Sequence, residues 1–279
     1  MNSMERRLFG WTGVSVPVIG QGTWGMERSR PASVAALRRG LDLGMTHIDT
    51  AEMYGDGAVE EIVGEAVAGR RHEVFLVSKV LPENASRRGT IAACERSLRR
   101  LRTDYLDCYL LHWRGQHPLA ETIAAFEELV RDGKIKTWGV SNFDEEDIEK
   151  AARIAGLNRI VCNQILYHLG ERSIEHYILP ACELHRITVV AYSPFGQGRL
   201  IPGPVLEEIA RARGATARQV ALRFLVRYPG IFAIPKAADM QHVEENAGAG
   251  DLQLSDQEIR QIAAAFPISG PRRRYLPEL

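Results

Sequence analysis

Short apolar runs rich in Val, Ile and Leu alternate along the chain with longer stretches whose apolar residues recur every three or four positions. The short runs start at Val18 (VIG), His47 (HID), Val74 (VFLVS), Tyr105 (YLDCYLL), Ile135 (IKTWGV), Ile160 (IVCNQ), Ile187 (ITVVAY) and Ile231 (IFAIP). Runs this continuously apolar predict eight strands of a parallel sheet covered by helices. Between them ASVAALRRGLDLG, GTIAACERSLRRLR, LAETIAAFEELVRDG and DEEDIEKAARIAG carry helical period. Ser33, where the first of these helices should open, and Asp144 are placed to cap; Gly44, Gly133 and Gly156 are placed to terminate.

The strand starts fall about 25 to 31 residues apart, the last gap excepted, which is the spacing of β-α units in a TIM barrel. We therefore expect an α/β chain forming one closed (β/α)8 barrel across residues 1–279, since no linker or shift in composition marks a second domain. The longer gap between strands 7 and 8 holds SPFGQGRLIPG and a helix, TARQVALRFLVRY. A further helix, SDQEIRQIAAAF, follows the one belonging to strand 8, and a short Arg-rich tail ends the chain. Ahead of the barrel, RRLF and VSVPV predict a hairpin around Gly10 to Gly13. Arg6-Arg7-Leu8-Phe9 also fits a twin-arginine export motif, but Gly13, Ser15 and Pro17 break the apolar stretch behind it, and no small-residue cleavage site follows.

Composition narrows the partners. Lys+Arg and Asp+Glu both number 35 in the 279 residues. This balance offers no electrostatic case for nucleic acid or an anionic membrane and leaves a small molecule as the expected partner. Cys94, Cys108, Cys162 and Cys182 form no C-x-x-C pair and sit in apolar segments, so we expect reduced, buried cysteines, no metal site and a cytoplasmic protein. No apolar run approaches the roughly eighteen residues that a membrane span needs. The expected assembly is a monomer.

Active sites of such barrels lie at the C-terminal ends of the strands. Those ends here carry Asp49, with Tyr54 in the loop beyond it, then Lys79, His112, Ser141 and Asn142, Gln164, and Tyr192 and Ser193. Any one of them alone is ordinarily structural; their convergence on one rim is what signals a site. Lys79 follows five nearly continuous apolar residues, and an ammonium buried there needs a partner such as Asp49. A phenol is a poor acid at neutral pH, with a reference pKa of about 10. Lys79 beside Tyr54 should lower that value and make Tyr54 a proton donor, with Asp49 holding the ammonium.

The same residues carry a family resemblance. D-T-A-E-M-Y-G, L-L-H-W, GVSNF, CNQ, AYSPFG and IPKAADMQHVEEN resemble the aldo-keto reductase superfamily, in matching order and spacing from about Arg6 to Phe266. The resemblance implies hydride transfer from a nicotinamide cofactor to an aldehyde or ketone. Tyr54 would be the general acid, Lys79 and Asp49 would tune it, and His112 would orient the carbonyl. Ser141, Asn142 and Gln164 would hold the carboxamide, with Tyr192 stacked on the nicotinamide. The loop carrying Ser193, Phe195, Gly196, Gly198 and Leu200 would cover the pyrophosphate. GQGTWG, Gly20 to Gly25, fits G-x-G-x-x-G but does not open directly into a helix, so we reject it as a dinucleotide fingerprint. Gly22, Thr23 and Trp24 instead match the family segment beside the nicotinamide ribose and substrate.

Beyond strand 8 the family places a Lys, a Ser or Thr, and an Arg near the adenosine 2′-phosphate. This chain keeps Lys236 but has Ala237 and His242 at the other two positions, while Glu245 and Asn246 match the adenine contacts. NADP(H) is the expected cofactor, with NAD(H) possible. Trp24, Tyr54, His112 and Trp113 would line the substrate pocket, and Arg114 could attract an anionic group. Short flanking loops suit small aldehydes; the chain looks most like bacterial members, some of which reduce methylglyoxal. Two other classes compete: an aldolase using Lys79 as a Schiff-base nucleophile, and a nicotinamide-binding sensor without catalysis. The complete set Asp49, Tyr54, Lys79 and His112 weighs against the sensor.

Overall fold

In the computed structural model, residues 4–198, 203–268 and 276 are described. Leu200 and nearly all of the Arg-rich tail fall outside them. The strands are β1 (Arg6–Leu8), β2 (Ser15–Pro17), β3 (Gln21–Gly22), β4 (His47–Asp49), β5 (Phe75–Val80), β6 (Leu106–Leu111), β7 (Ile135–Ser141), β8 (Ile160–Leu166), β9 (Thr188–Tyr192) and β10 (Ile231–Ala233). The helices are α1 (Arg30–Asp42), α2 (Ala58–Ala66), α3 (Arg87–Leu101), α4 (Leu119–Arg131), α5 (Glu145–Ala155), α6 (Ile178–Leu184), α7 (Pro204–Arg213), α8 (Ala217–Leu225), α9 (Met240–Gly248) and α10 (Asp256–Ala265).

β1 and β2 form the antiparallel hairpin, and β3 to β10 pair in parallel in chain order. Gly20 N–H donates to Ala233 O (2.8 Å), Ala233 N–H to Val18 O (3.0 Å) and Gly22 N–H to Pro235 O (3.1 Å), which joins the two edge strands. The result is the expected (β/α)8 barrel. The hairpin stops one end: Phe9 and Val16 are fully buried with Phe75, Val77, Cys108, Leu110, Val190 and Phe232 of the interior.

Several local expectations need correction. α1 opens at Arg30 with Ser29 as its cap residue, not at Ser33, because Pro31, with φ preset and no N–H to lose, occupies the first turn. Ser33 lies inside the helix and donates its hydroxyl to Met26 O (2.7 Å). The helix pattern overlooked α7, whose sequence PVLEEIARAR has Pro204 at its start and Gly214, φ 63°, at its end. α7 packs on α10 through the Arg213–Glu258 ion pair (2.7 Å). Asp144 does cap α5, accepting from Asp147 N–H (2.8 Å).

The GQGTWG glycines have a barrel explanation. A Cβ on Gly20 would stand 2.7 Å from His47 O, and one on Gly22 would stand 2.6 Å from Ile234 O, so β3 can approach its neighbours only without side chains there. No α-helix opens directly at Gly25; a single 3₁₀ turn, Met26–Arg28, follows it and precedes α1.

His47 lies inside the barrel with neither ring nitrogen hydrogen-bonded, edge-on to Phe9 (5.8 Å) and Phe75 (5.5 Å). Burial, with Lys79 adding repulsion, pushes its pKa down to about 3. A histidine whose folded pKa lies below the unfolded value contributes full stability above about 6.5 and loses it as pH falls toward 3. At pH 4 the cost is on the order of 3 kcal/mol. Urea midpoints measured at pH 7 and pH 4 should fall less for His47→Leu than for the unsubstituted protein; equal falls would show that His47 does not carry this acid sensitivity.

Candidate active site

Strand alternation puts the site together. Inward-facing residues of β5 run Phe75, Val77, Lys79, and β6 runs Cys108, Leu110 before His112. β7 supplies Gly139 and Ser141, β8 Cys162 and Gln164, and β9 Val190 and Tyr192. The lower rows are apolar, and the uppermost row turns polar at the C-terminal rim. Lys79 therefore lies within β5 rather than after it, fully buried.

Lys79 Nζ donates to Asp49 Oδ1 (2.5 Å), Thr50 O (2.8 Å) and Tyr54 OH (3.3 Å). Asp49 Oδ2 accepts from Gln164 Nε2 (2.7 Å), and Asp49 O accepts from Thr23 Oγ1 (2.8 Å). Burial disfavours the charge on Lys79, yet Asp49 and Tyr54 outweigh it and hold the ammonium above its ordinary range. Burial raises Asp49 despite Lys79 and Gln164. Tyr54 departs from expectation: burial pushes its hydroxyl above the ordinary phenol value, and Lys79 offsets only part of that rise. Tyr54 is thus a protonated phenol at neutral pH, with an ammonium in place to receive its anion.

Tyr54 opens a 3₁₀ turn, Tyr54–Gly57, in which Gly55 (φ 55°), Asp56 (φ 51°) and Gly57 (φ 93°) are all left-handed. The His112 ring stands edge-on to Tyr54 (5.9 Å) and against Trp113 (4.7 Å). Burial, then Lys79, holds His112 well below its ordinary value, so the imidazole is neutral. Trp24 is 58% exposed on the rim and Trp113 is half-buried. Arg114 is taken by Asp147 (3.3 Å) and lies over the Phe143 ring (6.0 Å), so it is not a free anion ligand.

The amide residues are pre-oriented. Asn142, left-handed at φ 56°, donates to His112 O (3.1 Å) and Ser141 Oγ (3.2 Å) and accepts from Tyr192 OH (2.9 Å). Ser141 Oγ donates to Gln164 O (2.8 Å). Asn163 was not singled out beforehand: it bonds both N–H and C=O of Phe143 (3.3 and 2.9 Å) and so fixes the turn that carries Asn142. Its place next to Gln164 in a strand, facing away from the barrel interior, was the only signal. Among the described residues no three His, Cys, Asp or Glu side chains are grouped to hold a metal.

On the loop after β9, Ser193 (φ 47°), Gly196 (φ 55°) and Gly198 (φ 85°) are left-handed. Phe195 is buried beneath the Arg218 guanidinium (3.8 Å), which also pairs with Glu245 (3.2 Å). Lys236 and His242 are exposed, and Ala237 is half-buried, around the start of α9. Asp239, which sequence reasoning missed, caps α9 by accepting from Gln241 N–H (2.9 Å) and His242 N–H (3.2 Å). Asn246 is buried with Oδ1 unpartnered.

Residues 18–266 match the model of the aldo/keto reductase family. The chain belongs to that family. It is 49% identical to methylglyoxal reductase YeaE of Escherichia coli (strain K12), over 95% of this chain and 96% of the relative. It is 35% identical to the glyoxal reductase of Bacillus subtilis (strain 168), over 90% of each. Its fold superposes with a TM-score of 0.93 on an aldo/keto reductase from Klebsiella pneumoniae crystallised with NADP and acetate. That structure is 47% identical, the match covering 99% of this chain and 100% of that one. Among the described residues no helix is long and apolar enough to cross a membrane.

Proposed function

We propose that this aldo/keto reductase reduces small aldehydes and ketones with NADPH, 2-oxoaldehydes of the glyoxal type foremost. The observation that carries the reading is one buried ammonium, Lys79, bonded at once to Asp49 and to the Tyr54 hydroxyl. The donor set suits a nicotinamide dinucleotide. Oriented amides and an aromatic face lie at the rim, left-handed glycines follow β9, Lys236 and His242 lie exposed around the start of α9, and Asn246 keeps a buried acceptor unfilled.

When bound, the cofactor supplies the hydride. Tyr54 gives its proton to the carbonyl oxygen as negative charge develops there, and Lys79 stabilises the phenolate left behind. Asp49 keeps Lys79 charged and in place. Neutral His112 orients the carbonyl by hydrogen bonding. Ser141, Asn142 and Gln164 would hold the carboxamide, with Tyr192 against the nicotinamide and Gly22, Thr23 and Trp24 beside the ribose and substrate. Ser193, Phe195, Gly196 and Gly198 would line the pyrophosphate. Lys236, Ala237 and His242 would face the 2′-phosphate, and Glu245 and Asn246 the adenine.

NADPH consumption across a panel of aldehydes, ketones and sugars tests this. Glyoxal and methylglyoxal should head the panel, and folded protein that turns over none of them would refute the reading. An aldolase would need a neutral amine at Lys79, whereas its ammonium is raised and donates to three oxygens. Borohydride trapping of Lys79 with a carbonyl substrate, absent NADPH turnover, would favour that alternative.

Cofactor choice gives a separate expectation. Ala237 offers no hydroxyl, and His242 replaces an arginine that would grip phosphate bidentately. One lost charged hydrogen bond is worth roughly 1.5 to 3 kcal/mol, or about ten- to a hundredfold in discrimination against NADH. His242→Arg should tighten NADPH and raise the ratio of NADPH to NADH efficiencies by about ten- to a hundredfold. An unchanged ratio in that variant would remove His242 from phosphate recognition.

A further inference from the structure

The segment that carries Tyr54 is held to β5 by two buried carboxylates, one on each side of Lys79. Before Lys79, Ser78 turns its hydroxyl outward and donates to Glu60 Oε1 (2.6 Å). After it, Leu81 N–H donates to Glu52 Oε1 (2.9 Å), as does Asn84 Nδ2 (2.9 Å). Each carboxylate gives its second oxygen to an arginine of α3: Glu52 Oε2 to Arg96 (3.2 Å) and Glu60 Oε2 to Arg100 (3.0 Å). Arg96 and Arg100 are four residues apart, hence on one face of the helix. The Arg100 guanidinium also lies against Gly57, where a Cβ would come within 2.4 Å of Cζ.

Glu52 precedes Tyr54 and Glu60 follows it, so the turn with three left-handed residues is anchored at both ends. The contact between Lys79 Nζ and Tyr54 OH is already long for a hydrogen bond, at 3.3 Å. A shift of a few tenths of an ångström in the turn would lose it. We infer that Glu52 and Glu60, gripped by Arg96 and Arg100, form a two-point clamp that fixes Tyr54 against Lys79. These four are positioning residues, and the inference rests on Tyr54 being the proton donor. The titratable groups that bear on Tyr54 itself are Lys79, Asp49, His112 and Tyr192.

The test compares Glu52→Gln, Glu60→Gln, Arg96→Lys, Arg100→Lys and Arg100→Met with Tyr54→Phe. It measures kcat, KM for methylglyoxal, NADPH Kd by fluorescence, melting temperature and the pH profile of kcat. The clamp predicts that Glu60→Gln, Glu52→Gln and Arg100→Met lower kcat about tenfold or more. KM and NADPH Kd should stay unchanged, and the alkaline limb of the profile should move. Arg100→Lys should recover part of the rate lost in Arg100→Met, and Arg96→Lys should stay closer to the unsubstituted rate than Glu52→Gln. If Glu60→Gln does not fold, the Arg100 pair and Glu52→Gln decide. Folded variants with unchanged kcat and pH profile, or with rate lost only in proportion to NADPH-binding capacity, would overturn the clamp. Loss of activity in Tyr54→Phe with none in the clamp variants would sink the clamp alone, whereas an active Tyr54→Phe would sink the proton-donor reading beneath it.

Discussion

Tyr54→Phe should lower kcat for aldehyde reduction by on the order of a hundredfold or more while leaving NADPH affinity nearly unchanged. The phenyl ring fills the same space, so its edge contact with His112 is preserved. What disappears is the hydroxyl, whose oxygen accepts from Lys79 Nζ at 3.3 Å, and with it the proton to be given. Because the hydroxyl lies above the ordinary phenol range, it is protonated throughout neutral pH. Reduction by the unsubstituted protein should therefore be level there and fall only on the alkaline side, as Tyr54 loses its proton. Single-turnover reduction with saturating NADPH, followed from pH 6 to beyond the ordinary phenol pKa of about 10, measures both effects. A Phe variant with undiminished kcat would exclude Tyr54 as the donor.

Lys79→Met should cost a comparable loss for a different reason. The phenol remains, but its anion loses the ammonium bonded to it, so the alkaline limb should move to still higher pH as the rate falls. The substitution also leaves Asp49 buried without its ion-pair partner, a change that typically costs about 3–5 kcal/mol of stability. Asp49→Asn removes that stranded charge. The double variant Lys79→Met/Asp49→Asn should accordingly be more stable than Lys79→Met alone, and its activation penalty should be smaller than the two single penalties combined by about 1 kcal/mol or more. Kinetics and thermal melts on the four proteins complete the cycle. Strict additivity in the activation free energies would show that Asp49 and Lys79 do not act as a unit.

Elements whose signal is local were legible without coordinates. The continuous apolarity of VFLVS and ITVVAY marks strands buried on both faces, and the two-residue period then dictates that Lys79, Gln164 and Tyr192 share a face with the apolar rows below them. Asp144 read as a cap because a short acceptor ahead of a helical pattern has one physical use. Ser33 looked equally good and was displaced, since Pro31 could start the helix a turn earlier. α7 was missed because its period is brief and it lies beside a loop rich in Gly and Pro.

The parallel barrel order and the gathering of Asp49, Tyr54, Lys79 and His112 at one rim were legible in the sequence, because the parallel β-α repeat constrains them strongly, whereas which residues of the continuously apolar strands face inward came from the structure. Tertiary structure decided the sign of the shift at Tyr54, since burial and the approach of Lys79 oppose each other and only their distances say which prevails. It likewise decided that Arg114 is spent on Asp147, that Asp239 occupies the start of α9, and that Glu52 and Glu60 reach β5 and α3. Pairings of this kind join residues from different elements, and the free energy of such a contact depends on separation and burial in space, neither of which a linear pattern contains.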